Sequence, residues 1–149
     1  MVCLGNICRS PLAEGLLQDK VDQLGLDITV DSAGTASYHT GEHPDSRMIK
    51  TTAHHGIDIS QQRAQQFDSE HFNEFDRIYA MDTSNQRDIL YLANSDDDRN
   101  KVDLLLNASH PGQDRSVPDP WYGGEQGFED VYHIVDAACE KIANSLRDE

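Results

Sequence analysis

Met1-Val2-Cys3-Leu4-Gly5-Asn6-Ile7-Cys8-Arg9-Ser10-Pro11 opens the chain, and the residues just after Pro11 decide how the stretch is read. Leu12, Ala13, Leu16, Leu17, Val21 and Leu24 recur at three- and four-residue steps, the stripe of an amphipathic helix. Pro11 suits the first helical position, where its missing N–H has no partner to lose, and Gly25 can close the helix in the left-handed conformation. The stretch is therefore a short strand, a tight glycine-containing turn and a helix N-terminus. Only Met1 and Val2 precede Cys3, so the first strand is expected to be truncated.

Outward from there, strand-like and helix-like segments alternate. Ile28 to Val30 reads as a short strand and Asp31 to Pro44 as a loop rich in Ser, Gly, Thr and His. Asp45 to His55 reads as a helix capped by Asp45 and ended by Gly56, with a shorter one over Asp68 to Glu74. Arg77 to Met81 is a buried strand, Ser84 to Leu92 a helix, Ser95 to Lys101 a polar turn and Val102 to Leu105 another strand. Pro118, Pro120, Gly123 and Gly124 mark Pro111 to Gly127 as a long surface loop. The last helix spans roughly Phe128 to Leu146, with Val131, Ile134, Val135, Ala138, Ile142 and Leu146 inward. Such alternation predicts a single α/β domain over residues 1–149, a parallel sheet with helices on both faces.

The opening turn carries chemistry. Backbone N–H groups from Leu4, Gly5, Asn6, Ile7, Cys8 and Arg9 can converge on an anion at the helix N-terminus, where the dipole favours negative charge. Arg9 offers a planar fork for two phosphoryl oxygens, which lysine would replace poorly. Cys3 faces the same donors, so its thiol is expected below the usual value of about 8.5 and the thiolate is a nucleophile. The Ser10 hydroxyl can stabilise that sulfur, and Asn6 can pin the loop. Phosphoryl transfer to sulfur also needs an acid for the leaving oxygen. Asp119, between Pro118 and Pro120 and followed by Trp121 and Tyr122, supplies it.

Composition narrows the partners. The 149 residues carry 12 Lys plus Arg against 27 Asp plus Glu, a net charge of −15 that repels nucleic acid and anionic lipid. Three cysteines, Cys3, Cys8 and Cys139, do not form a secreted disulfide framework, and a reducing cytoplasm is expected. No apolar run approaches the roughly 18 residues of a membrane span. His54-His55 and the pair His39 and His43 invite a metal reading, but adjacent histidines on a helix diverge, so no metal or other cofactor is expected.

Taken together, Cys3-Leu4-Gly5-Asn6-Ile7-Cys8-Arg9-Ser10-Pro11 and Asp119-Pro120-Trp121-Tyr122 resemble the signature and acid loops of the low-molecular-weight protein tyrosine phosphatases. The resemblance continues through Asp31-Ser32-Ala33-Gly34-Thr35, His55-Gly56-Ile57, Ala80-Met81-Asp82 and Ser84-Asn85. It implies a four-stranded parallel, flavodoxin-like sheet and a metal-free two-step hydrolysis of phosphotyrosine in proteins through phosphocysteine. Carried over, Cys3 is the nucleophile, Arg9 the transition-state clamp, Asp119 the acid and then base, and Ser10 the aid to the leaving sulfur. Asn6 and Ser32 hold the loop, Cys8 can shield Cys3 through a disulfide, and Ile7, Tyr38, Trp121 and Tyr122 line the slot for the substrate ring. A monomer or weak homodimer is expected.

One segment departs from the pattern: where the family usually has His and Arg, the stretch is Ser60-Gln61-Gln62-Arg63-Ala64-Gln65. A glutamine there can bond Asn6 but carries no charge. Two alternatives stay open. A protein arginine phosphatase of the same fold would carry Thr in place of Ile7, and a thiol redox sensor would read phosphate without turnover, for which Asp119 has no use. Arsenate reduction needs a relay of further cysteines, and only Cys139 remains, inward on the last helix.

Overall fold

The computed structural model describes residues 1–149, except that the side chain of Tyr122 lies outside the described residues. Four strands, β1 (Val2–Cys3), β2 (Ala33–Gly34), β3 (Ile78–Ala80) and β4 (Val102–Leu104), form one parallel sheet in the order β2-β1-β3-β4. Val2 pairs with Ala33 on one side and Ala80 on the other, and Cys3 pairs with Gly34. The chain leaves β1 for β2 on one side, then crosses to β3 on the other. In such sheets ligands bind where the order switches, at the carboxyl ends of the strands, and Cys3 ends β1 at that place.

Six helices cover the sheet: α1 (Arg9–Gln23), α2 (Ser46–His54), α3 (His71–Glu74), α4 (Thr83–Tyr91), α5 (Asp96–Asn100) and α6 (Gly124–Arg147). Strand alternation sorts the side chains into two cores. Val2, Ile78, Ala80 and Leu104 bury against Phe67, Phe72 of α3 and Ile89 of α4. On the opposite face Cys3 and Met81 join Leu12, Leu16 and Val21 of α1 and Val131, Val135 and Ala138 of α6. Complete burial of each of Leu12, Leu16 and Val21 contributes about 1.5–3 kcal/mol, and their stripe is why α1 packs on α6. The expected three layers are present, and β1, like β2, is two residues long.

Four boundaries differ from expectation. The second strand is Ala33–Gly34, not Ile28 to Val30. A strand needs a neighbour, and the pairing with β1 falls on Ala33 and Gly34, while residues 28–30 pair with no strand. α1 starts two residues before Pro11, which costs nothing because first-turn N–H groups have no intrahelical acceptor. Residues 96–100 form a helix rather than a polar turn: the Ser95 hydroxyl accepts from the Asp98 N–H, and Asp96, Asp97 and Asp98 favour the positive end of the helix dipole. Pro111 to Gly127 is not all loop, since Pro120–Tyr122 is a 3-10 turn and α6 begins at Gly124.

A cavity of about 680 Å³ opens at the amino ends of the strands between residues 27–33 and 75–79. It shares only Ser32 and Gln65 with the constellation around Cys3, which lies at the other end of the sheet. No described helix is long and apolar enough to cross a membrane.

Candidate active site

Cys3 is buried at the base of the loop between β1 and α1, and its sulfur has two polar neighbours. The Asn6 N–H donates to Sγ at 3.3 Å, and the Ser10 Oγ stands 3.0 Å away. Asn6 folds the loop back over the sulfur with φ at +57°, a left-handed conformation that asparagine tolerates better than most side chains. Its amide is satisfied at both ends: Nδ2 donates to Ser10 Oγ (2.8 Å) and Ser32 Oγ (2.9 Å), and Oδ1 accepts from the Gln65 N–H (3.0 Å). Because Ser10 Oγ already accepts from Asn6, its single hydrogen is free to point at the sulfur.

The network runs one step deeper than the sequence motif. Ser32 Oγ donates to Glu14 Oε1 at 2.8 Å, on the second turn of α1. Burial drives the Glu14 carboxyl up to about 7, against the lowering effect of the Ser32 bond. Only the spacing Arg9-Ser10-x3-Glu14 on one helix hints at this.

Arg9 is held from two sides. Its Nη1 donates to Asp82 Oδ2 and to the Val117 carbonyl, each at 3.0 Å, and the side chain is 11% exposed. Asp82 also caps α4 by accepting from the Asn85 N–H. Val117 in turn donates its N–H to the Met81 carbonyl, so the segment leading to Asp119 is fastened to the sheet and to Arg9. Asp119 lies two residues on, exposed, with its carboxylate accepting from the Trp121 N–H at 3.0 Å. That places Arg9, Asp82 and the acid loop in one connected unit. In the sequence Asp82 stands out only as part of a family motif.

Gly34 is a further residue whose part the sequence does not disclose. A Cβ there would stand 2.7 Å from the Leu4 carbonyl oxygen, 3.0 Å from Gly5 C and 3.1 Å from Asn6 N. Thr35 and Ala36 donate N–H bonds to the Cys3 and Leu4 carbonyls, both at 2.9 Å, so β2 seats the whole loop by close approach.

Cys8 precedes α1, partly buried, and its thiol is pushed up to about 12 by burial and by the charges of Asp45, Cys3 and Asp119. The Ile7 carbonyl accepts from the Asp45 N–H at the head of α2. Leu4, Tyr38 and Trp121 are largely exposed; Trp121 lies under the Arg47 guanidinium, 4.2 Å from its ring centre. Tyr122, expected beside them, lies outside the described side chains. The glutamines settle as follows: Gln65 supports Asn6 through its backbone and bonds the Ser32 carbonyl with Nε2, Gln62 Nε2 bonds the Pro11 carbonyl, and Gln61 reaches only Ser60. Cys139 is fully buried on α6, its thiol raised to about 12 by desolvation and 3.8 Å from the Ala13 carbonyl of α1.

A family model described as low molecular weight phosphotyrosine protein phosphatase matches residues 1–149. The chain is 46% identical over 147 residues, 97% of its length and 93% of the other, to the slr0328 protein of Synechocystis sp., whose name provisionally makes it a low molecular weight protein-tyrosine-phosphatase. It is 38% identical to the low molecular weight protein-tyrosine-phosphatase of Streptomyces coelicolor, over 99% of this chain and 92% of that one. Among solved structures it superposes with a TM-score of 0.91 on the protein tyrosine phosphatase of Entamoeba histolytica with Hepes in its active site, at 37% identity over 99% of this chain and 94% of that one.

Proposed function

Since the chain belongs to the low molecular weight phosphotyrosine protein phosphatase family, we propose that it hydrolyses phosphotyrosine in proteins with Cys3 as nucleophile. The observation that carries this reading is the sulfur of Cys3 held between the Asn6 N–H and the Ser10 hydroxyl, beneath a loop whose Arg9 is fixed by Asp82.

The groups present dictate the steps. The thiolate attacks phosphorus opposite the phenolic oxygen, forming an S–P bond as the P–O bond breaks. Both observed Arg9 bonds use Nη1, which leaves Nε and Nη2 to bind two equatorial oxygens in the fork geometry, together with loop N–H groups. Asp119 gives its proton to the leaving oxygen, then takes one from the water that attacks phosphocysteine. Ser10 donates to the sulfur as it leaves. Ile7, Tyr38 and Trp121 are the residues assigned to receive the ring, and a phenol carries the phosphate farther from the peptide backbone than the short side chain of phosphoserine does.

In the same reading residues 1–149 act as one phosphatase domain in the cytoplasm, as a monomer or weak dimer, with inorganic phosphate as the product bound last. Cys8, a neutral thiol beside Cys3, serves as a redox partner that traps an oxidised Cys3 as a disulfide.

Hydrolysis of phosphotyrosine and phosphoarginine peptides, measured side by side, tests the substrate class. A kcat/KM favouring phosphotyrosine is expected; preference for phosphoarginine would replace the reading by the arginine phosphatase alternative, and binding of phosphate without turnover would replace it by the sensor.

A further inference from the structure

Away from Cys3, two histidines and a glutamate meet at the junction of α2 and α6. His55, the C-cap residue just after α2, places Nε2 at 3.0 Å from both carboxylate oxygens of Glu129. His133, one helical turn beyond Glu129, places its Nε2 3.4 Å from Oε2. Three ligand atoms from these side chains lie within 4.8 Å of one another. We propose that His55, Glu129 and His133 bind a zinc-like divalent cation.

The spacing fits such an ion. With metal–nitrogen and metal–oxygen distances of about 2.0–2.2 Å, neighbouring tetrahedral ligands stand roughly 3.4 Å apart, close to the 3.0 and 3.4 Å found here. Imidazole with carboxylate suits zinc and its first-row neighbours rather than magnesium or calcium. The site is also preorganised. The His55 ring stacks on Tyr132 with centroids 3.8 Å apart and planes 10° apart, so its orientation is set by packing, and Glu129 and His133 share one face of α6 at i and i+4. His133 is 65% exposed, which gives the ion a way in and leaves a coordination position for water. A net charge of −15 attracts cations to the surface. The imidazole that joins His55 and Glu129 in this cluster comes from α6, 78 positions along the chain from His55.

A cation there would tie the end of α2 to the second turn of α6. α2 begins where Asp45 bonds the Ile7 carbonyl, and α6 comes directly after the 3-10 turn that Asp119 caps, so the tie braces the two supports of the site without touching the reacting atoms.

Cobalt(II) and zinc(II) titration of the full chain, stripped of metal and kept reduced, tests the assignment by absorption and by competition with a chromogenic chelator. One equivalent is expected, with visible d–d bands, no thiolate charge-transfer band, and a zinc-induced rise in Tm. His133→Asn, a change at an exposed position, and Glu129→Gln should each weaken binding about tenfold or more and remove the Tm rise, while Cys3→Ser leaves both intact. Binding that survives both α6 variants, binding that disappears with Cys3→Ser, or no binding at about 100 μM zinc would overturn the proposal.

Discussion

Gly34→Ala isolates the contact by which β2 seats the nucleophile loop. Gly34 does not have a positive φ, so alanine adds no backbone strain, and the whole effect comes from one methyl group. That methyl would sit 2.7 Å from the Leu4 oxygen, about 0.6 Å inside an ordinary contact, and all three of its nearest atoms are backbone that cannot rotate away. Either β2 withdraws from β1, stretching the 2.9 Å bonds from Thr35 and Ala36, or residues 4–6 move outward and take the Asn6 N–H off the Cys3 sulfur. Overpacking of this kind costs about 1–3 kcal/mol. At roughly 2–4 °C per kcal/mol for a domain of this size, Tm should fall by about 2–12 °C. Misplacing the loop by several tenths of an ångström should lower kcat/KM for an aryl phosphate by about 10–100-fold. Thermal unfolding and steady-state kinetics on the same preparation read both numbers. An unchanged Tm with kcat/KM within twofold of wild type would show that the close approach of Gly34 does not shape the site.

Asp119→Asn should slow phenyl phosphate more than a nitrophenyl ester, because general acid catalysis, worth about 10²–10⁴-fold, matters most for the poorer leaving group; equal losses in kcat on the two esters would remove Asp119 from the acid's role. Glu14→Gln keeps an acceptor for Ser32 but cannot ionise. The folded-state carboxyl of Glu14 is raised to about 7, above its unfolded value of roughly 4.3, so its stabilising contribution is complete below the unfolded value and is lost as pH rises to 7. Urea midpoints should therefore shift in favour of the glutamine variant across that window and stay parallel above it; parallel curves throughout would contradict the buried carboxyl. Cys8→Ser should convert inactivation by mild peroxide from reversible by dithiothreitol to irreversible, since the neighbouring thiol that traps a sulfenic acid is gone; recovery equal to wild type would refute the shielding role.

The parts of the site that lie close together along the chain are legible in the sequence. Cys3, Asn6, Arg9 and Ser10 fall within one turn and the start of one helix, so spacing alone brings them together, and the stripes of α1 and α6 announce which faces are buried. Less is legible where a partner from elsewhere decides the outcome. Ile28 to Val30 has the composition of a strand, but a strand exists only where a neighbour runs alongside, and the pairing falls on Ala33 and Gly34 instead. Asp82, Glu14 and Gly34 act through contacts with residues 73, 18 and about 30 positions away, which neither periodicity nor local motif encodes. The Ser95 cap obeys the same rule that identifies Asp45, but three consecutive aspartates give the segment the look of a plain turn. The histidines next to each other in sequence do not reveal the cluster of His55, Glu129 and His133, because two of its members come from α6, more than 70 positions along the chain.

Rapid acid quenching during turnover of a phosphotyrosine peptide, followed by mass spectrometry of the peptide that contains Cys3, tests the central claim. The expected result is one added phosphoryl group on Cys3, accumulating further in Asp119→Asn with a nitrophenyl ester, where hydrolysis of the intermediate is slowed, and absent in Cys3→Ser. Turnover with no phosphoryl group on Cys3, or a Cys3→Ser variant that still hydrolyses at a rate near wild type, would contradict the account.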